Sequence, residues 1–193
     1  MIKARETGTQ FKAQGVGRLA STAFELVKWL IVGGLALFLV HYFLFTVFIV
    51  SGESMEPNFH DREVVFINRF NLFTGNFERG DPMVLKFPGD PDKVKYIKRL
   101  IGLPGDYVEI KNNSIYINNK PLTESYIPST FSTEAVTGVS AWQLREGEYF
   151  LVGDNRGNSS DSRTWGVARK SDMTGPVKLI VIPRFEFVAT PPY

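Results

Sequence analysis

Residues 29–50 contain no charged side chain, and this run constrains the fold more than any other feature of the sequence. As a helix, the run would span about 33 Å, which is enough to cross the ~30 Å hydrocarbon core of a bilayer. Residues 1–28 before it carry five basic and two acidic side chains. Because positive charge favours the cytoplasmic side, we predict a basic cytoplasmic N-terminus (1–28), a single transmembrane anchor (29–50) and an extracytoplasmic domain (51–193).

A cleavable signal peptide and a buried core helix are the two alternatives to a retained anchor. A cleavable signal peptide has a shorter apolar core, roughly 7–15 residues, followed by a small-x-small cleavage site. A buried core helix is the weaker alternative, because this run is apolar all round. Both alternatives fit less well than an anchor, in which His41 would be a neutral side chain that faces another protein or is simply tolerated, rather than a proton relay.

Composition narrows the possible chemistry. The 193 residues include no cysteine, which excludes disulfides, thiolate catalysis and cysteine-ligated zinc. The only histidines are His41 and His60, so no histidine-rich metal site is predicted. A formal net charge of +2 does not indicate a basic surface for nucleic acid.

Beyond residue 60 the hydrophobic pattern changes to a period of two, which is typical of β-strands. Glycine and proline separate the segments, and no long helical pattern follows the anchor. We therefore predict a mainly β protein, in which the single transmembrane helix precedes a small antiparallel β barrel or sandwich-like domain. Residues 122–145 lack clear periodicity and are predicted to form a loop or a small excursion. The predicted strands are 62–68, 83–87, 93–101, a hairpin over 107–118 that turns at Asn112 and Asn113, 148–152 and 177–182.

One of these strands contains a lysine in an unusual position. Alternation over 93–101 places Lys98 on the same face as the large apolar side chains of Tyr96 and Leu100. Desolvation there would disfavour the charged amine and bring its pKa toward the range of a general base. The alternative is that the Lys98 side chain extends along the surface and keeps its ammonium in water.

Ser54 alone is a weak candidate nucleophile, because a serine hydroxyl needs a base and SGESMEP at 51–57 is not a GxSxG elbow. His60 next to Asp61 makes a triad conceivable, although no positional argument brings His60 back onto Ser54.

Three segments together resemble the signatures of type I signal peptidases. They are SGESMEP at 51–57, directly after the apolar run, KYIKRLIGLPGD at 95–106 and GDNRGNSSDSR at 153–163. Their order and spacing agree with that family, as does RGD at 79–81. The resemblance implies a membrane-bound serine endopeptidase that removes signal peptides from exported preproteins after small-x-small sites, on the outer face of the plasma membrane. Signal peptides and the lipid bilayer are the implied partners, with the secretion translocon as a further candidate. The implied chemistry requires no metal or organic cofactor.

The resemblance also implies roles for individual residues. Ser54 would attack the scissile carbonyl, Lys98 would be the general base, and the Ser54 N–H would contribute to the oxyanion hole. Ser159 would orient the lysine by a hydrogen bond. Met55 would pack behind the nucleophile. Asp161 and Arg163 would form a supporting ion pair, the alternative being a surface pair worth under ~1 kcal/mol.

Departures from the family pattern leave some points open. Gly52 stands where many Gram-negative members carry a serine that donates to the oxyanion, so the second donor is unassigned. Asn58 replaces a usual threonine, and Pro82 interrupts a usual apolar run. Two rival functions are a relative dedicated to one substrate and an anchored, non-catalytic β-domain that binds peptides or membrane partners.

Overall fold

The computed structural model describes residues 7–88, 92 and 94–191; for residues 7–20 and 40–43 it describes the backbone alone. The chain divides into two compact units, Met1–Phe43 and Leu44–Tyr193. The first contains most of a long helix, and the second is the β domain.

The helix α1 extends over Thr7–Leu44. Its segment Ser21–Leu39 has a mean hydropathy of 1.7 and none of it is buried, so its length and composition suffice to cross a membrane. Within this segment, Lys28 and Glu25 form an ion pair at 2.5 Å. The limits of a membrane-embedded segment along α1 stay a prediction.

The prediction of one helix through residue 50 is wrong at its C-terminal end. Phe45–Ile49 forms strand β1, which pairs antiparallel with β2, Val64–Asn68. The five residues of β1 are aromatic or β-branched, and such residues favour a pleated strand. Uncharged residues alone could not distinguish this strand from a continuing helix.

The remaining elements follow in chain order. The strands are β3 (Pro82–Lys86), β4 (Lys95–Gly102), β5 (Tyr107–Lys111), β6 (Ser114–Ile117), β7 (Lys120–Pro121), β8 (Ala141–Gln143), β9 (Glu148–Val152), β10 (Ala168–Arg169), β11 (Met173–Ile182) and β12 (Glu186–Phe187). The short helices are α2 (Phe70–Thr74), α3 (Ser162–Trp165) and a 3₁₀ turn at Lys170–Asp172.

The strands form two antiparallel sheets. The larger has the order β1-β2-β11-β3-β4-β9-β10, with β12 also paired to β11, and the smaller has the order β7-β6-β5-β8. This confirms the predicted fold class, a mainly β antiparallel domain behind one apolar helix.

Strand β11 joins the two halves of the larger sheet. Its first residues pair with β3 and its later residues with β2, with register shifts between them. Gly175 lies at this junction with φ of +141°, and a Cβ there would lie 2.7 Å from the Asn68 carbonyl oxygen. The close approach of the two strands therefore requires glycine.

The predicted strands are confirmed, with small shifts at their ends. In the hairpin, Asn112 and Asn113 have φ of +50° and +59°, as a type I′ turn requires. Within 122–145, predicted to be a loop or a small excursion, Ala141–Gln143 forms the short strand β8 and pairs with β5. A three-residue strand is too short to show a period in the sequence.

Candidate active site

The loop after β1 carries Ser54 and is fixed at both ends. At its base, the Val50 N–H donates to the Glu63 carbonyl oxygen at 2.8 Å, and the Arg62 N–H donates to the Val50 carbonyl oxygen at 2.9 Å. Within the loop, Met55 is fully buried in the hydrophobic cluster that also contains Ile97 of β4. The buried Met55 side chain lies behind Ser54, in agreement with the predicted packing, and holds the adjacent Ser54 at the surface of the core.

Strand β4 brings Lys98 to this loop. Its Nζ lies 2.5 Å from Ser54 Oγ, and the side chain is only 1% exposed. The alternative of a solvent-extended lysine is therefore wrong. The Nζ also lies 5.4 Å from the centre of the Tyr96 ring, so an aromatic face covers one side of the amine.

Burial lowers the pKa of the Lys98 ammonium to about 8, since a low-dielectric environment penalises the charged form. The nearby carboxylates of Asp161 and Asp154 act in the opposite direction, and Arg163 adds to the lowering. An amine with this pKa is largely neutral in mildly alkaline solution and can accept a proton from the serine hydroxyl.

The segment 153–163 forms the third wall. Asp161 and Arg163 are both buried and make a two-point ion pair, with Nε to Oδ1 and Nη2 to Oδ2 each at 2.8 Å. The Asp161 carboxylate also accepts the Gly153 N–H at 3.0 Å, and the Arg163 guanidinium donates to the Arg156 carbonyl oxygen at 2.9 Å. The alternative of a surface pair is therefore wrong: the pair ties both ends of the segment together.

The segment 153–163 directly contacts the loop that carries Ser54. The Asn155 N–H donates to the Ser54 carbonyl oxygen at 3.1 Å. A Cβ on Gly153 would lie 2.5 Å from that same oxygen and 2.1 Å from Ser159 Oγ. The backbone at Gly153 therefore supports Ser54 from behind at a distance that no larger residue permits.

The hydrogen bond predicted from Ser159 to Lys98 is absent from the described part of the chain. Ser159 Oγ is buried there and has no hydrogen-bond partner. Lys98 Nζ instead contacts Ser54 Oγ, which satisfies the amine without the second hydroxyl.

The backbone N–H groups of Ser54 and Gly52 are candidate donors to an oxyanion, and they differ in whether they already have a hydrogen-bond partner. The Ser54 N–H donates to no other group within the described residues, and so is available to a ligand. The Gly52 N–H donates to Asp61 Oδ1 at 2.8 Å, and Gly52 has φ of +88°. The Asp61 carboxylate, which the sequence offered only as part of a triad, thus orients the backbone two residues before Ser54.

The histidine triad receives no support. His60 Nδ1 lies 3.6 Å from Glu56 Oε1 and is half exposed, and it makes no contact with Ser54 in the described structure. The side chain of His41 lies outside the described part of the structure.

Sequence reasoning missed a buried ion pair next to the site. The Arg99 guanidinium donates to both Asp154 oxygens, at 2.8 Å from Nε and 2.5 Å from Nη2. Asn58 Nδ2 donates to the same carboxylate at 2.8 Å. The sequence did contain an indication of this pair. Arg99 lies on the same face of the strand as Ile97 and Ile101, and an arginine in an apolar row needs a buried carboxylate.

An open cleft of about 470 Å³ runs past Ser54 and Lys98, and we call it the active-site cleft. Its walls come from the serine loop, β4 and the segment 153–163. The other lining residues are Ser51, Gly52, Glu53, Asp61, Tyr96, Asn158 and Ser160.

A serine hydroxyl held against a buried lysine amine of lowered pKa is an arrangement that can activate the serine as a nucleophile. The family model described as "Signal peptidase, peptidase S26" matches residues 23–182. The chain therefore belongs to the signal peptidase family S26.

The chain is also similar to individual signal peptidases. The chain is similar to signal peptidase I P of Bacillus subtilis subsp. natto, with 39% identity over 173 residues that cover 86% of this chain and 92% of the relative. It is 33% identical over 190 residues to signal peptidase I T of Bacillus subtilis strain 168, covering 95% and 96%. A crystal structure of a signal peptidase I from Enterococcus faecalis is 29% identical, with a TM-score of 0.41, and covers 52% of this chain and 96% of its own.

Proposed function

We propose that this signal peptidase cuts exported preproteins after small-x-small sites, with Ser54 as nucleophile and Lys98 as general base. The observation that carries the proposal is the 2.5 Å separation of Lys98 Nζ and Ser54 Oγ, with the lysine only 1% exposed.

In the acylation step, neutral Lys98 takes the proton of the Ser54 hydroxyl as Oγ attacks the scissile carbonyl carbon. The carbonyl π electrons move to the oxygen, and the Ser54 N–H donates to this developing oxyanion. When the tetrahedral intermediate collapses, the C–N bond breaks, and the Lys98 ammonium gives its proton to the leaving amine. The products are an ester on Ser54 and the free N-terminus of the mature protein.

The deacylation step repeats this chemistry with water. Lys98, neutral again, accepts a proton from a water molecule whose oxygen attacks the ester carbonyl. Collapse of the second intermediate returns the proton to Ser54 Oγ and releases the signal peptide with a free carboxylate. One base with a pKa near 8 therefore serves both half-reactions.

The proposed location is the plasma membrane, with α1 as a single-pass anchor, its N-terminus in the cytoplasm and the β domain on the outer face. Support comes from the apolar segment Ser21–Leu39 and from the excess of basic residues in 1–28. Ser54 follows the end of α1 by ten residues, so its cleft would lie near the membrane surface, where a signal peptide emerges. Signal peptides and the bilayer are then direct partners, and the translocon is a proposed neighbour.

The test is cleavage of a model preprotein with an Ala-x-Ala site by the full chain in detergent. Wild type should cut after the second alanine, and Ser54→Ala and Lys98→Ala should each lose at least about 10³-fold in rate. Matched controls are Ser132→Ala and Lys120→Ala, because both side chains are exposed and lie outside the active-site cleft. Far-UV circular dichroism shows whether each variant is folded.

Two results would contradict the proposal. Full activity of folded Ser54→Ala would exclude this serine as the nucleophile. Activity of folded Lys98→Ala with an unchanged pH profile would exclude the lysine as the base.

A further inference from the structure

A second, smaller cleft of about 230 Å³ lies away from Ser54 and Lys98, and we call it the basic cleft. Three cationic side chains line it, Arg69, Lys86 and Lys95, together with the hydroxyl-bearing Thr46 and Thr174. Its remaining lining is apolar, and no carboxylate lines it among the described residues. A cavity with three cations, two hydroxyl groups and no acid matches the chemistry of an oxyanion such as phosphate.

The charges of these three side chains are not matched by ion pairs within the described residues. None of the three forms an ion pair with a carboxylate there. Lys86 and Lys95 are direct partners in the antiparallel pairing of β3 with β4. Like charges directly opposite each other destabilise a sheet, and an anion between the two ammonium groups would reverse the sign of this interaction.

The basic cleft is attached to the end of α1. Thr46 lies on β1, two residues after Leu44, where the helix ends. The Arg69 N–H donates to the Leu44 carbonyl oxygen at 2.9 Å, which fixes the arginine beside that end. From Leu44, the last residue of α1, two residues of strand carry the chain about 7 Å further to Thr46. This distance is comparable to the depth of the headgroup region on one side of a bilayer, which is about 5–8 Å.

We propose that the basic cleft binds the phosphate of an anionic phospholipid headgroup. This inference rests on the proposed anchoring of α1 in the membrane. The Arg69 guanidinium offers two parallel N–H donors to phosphate oxygens, and the two lysines add point charges. Leu72 and Met173 supply an apolar wall for the glycerol part of the lipid. A zwitterionic lipid binds less well, because its own cation would meet three others.

The test uses the full chain in detergent, titrated with short-chain phosphatidylglycerol, short-chain phosphatidylcholine or inorganic phosphate, with bound molecules counted by native mass spectrometry. Wild type should bind phosphatidylglycerol more tightly than either of the other two. Replacing Arg69, Lys86 and Lys95 by glutamine should weaken phosphatidylglycerol binding about 100-fold, since each cation near an anionic headgroup contributes about fivefold. The matched control replaces three exposed cations elsewhere, Lys120, Arg145 and Lys170, with the same change in net charge.

Two results would overturn the proposal. One is equal affinity for phosphatidylglycerol and phosphatidylcholine, and the other is an equal loss of phosphatidylglycerol affinity in the triple variant and its control. Inorganic phosphate that binds as tightly as phosphatidylglycerol overturns the lipid as the source of the phosphate. Cleavage of the model preprotein, measured in the same detergent without anionic lipid, should be unchanged in the triple variant. A failure of the proposed peptidase chemistry therefore appears in a different measurement from a failure of lipid binding.

Discussion

A methyl group added at Gly153 should strongly reduce the rate of cleavage, although it changes neither the Ser54 nor the Lys98 side chain. A Cβ at this position would lie 2.5 Å from the Ser54 carbonyl oxygen and 2.1 Å from Ser159 Oγ. Carbon and oxygen in contact need roughly 3.2 Å or more, so the Ser54 backbone or Gly153 itself must move by about 0.7 Å or more. Misplacement of a reacting group by about 1 Å can cost about 10²-fold in rate, which corresponds to about 2.7 kcal/mol of transition-state stabilisation. We therefore expect Gly153→Ala to lower kcat about 10²-fold.

The assay is steady-state cleavage of the model preprotein, with thermal unfolding measured in parallel. Gly157→Ala is the matched control, because it lies in the same segment and a Cβ there meets nothing within 4 Å. The double variant Gly153→Ala with Ser159→Gly removes the side-chain clash and leaves the clash with the Ser54 oxygen. If the displacement of Ser54 matters, the double variant should stay impaired. Wild-type kcat in folded Gly153→Ala would refute the reasoning, and full rescue in the double variant would assign the loss to Ser159 instead.

Three further predictions concern the base, the core and the sheet. If neutral Lys98 is the general base, as proposed, its pKa of about 8 means that kcat/KM should fall about tenfold per pH unit below that value and level off above it. A maximum near pH 5 would contradict a lysine base. Arg99→Met should lower the free energy of unfolding in urea by about 3–5 kcal/mol, since it leaves the Asp154 carboxylate buried and unpaired, whereas exposed Lys120→Met should change it by less than about 0.5 kcal/mol. Gly175→Ala should destabilise the domain by more than about 1 kcal/mol in the same measurement, because its φ and the backbone oxygen of β2 both exclude a side chain; a neutral result would show that β11 can shift.

The fold was predictable wherever a strand has one buried and one exposed face, because alternation then appears directly in the sequence. Residues 64–68 and 107–111 alternate in burial as the pattern indicates. The prediction failed at Phe45–Ile49, because an uncharged run is compatible with both a membrane helix and a strand, and only pairing with β2 decides between them.

The site was predictable to the extent that chemistry depends on residue type. A lysine in an apolar row indicated the buried amine, and the structure places Ser54 against it from 44 positions away in the chain. The partners of Arg99 and Gly52 were not predictable, because each depends on a carboxylate brought from a different loop. The position of the Ser159 hydroxyl is likewise a property of packing, which no motif records.

The position of β11 has a consequence for biogenesis. Ser54 follows β1 in one half of the larger sheet, Lys98 lies on β4 in the other half, and β11 is the strand that joins them. The segments that carry Ser54 and Lys98 both precede β11 in the chain, so both are synthesised before the strand that joins their half-sheets. During synthesis, a nascent chain therefore carries both side chains without the completed sheet. On the proposed mechanism, cleavage activity would appear only after β11 has been made and has paired with β2 and β3.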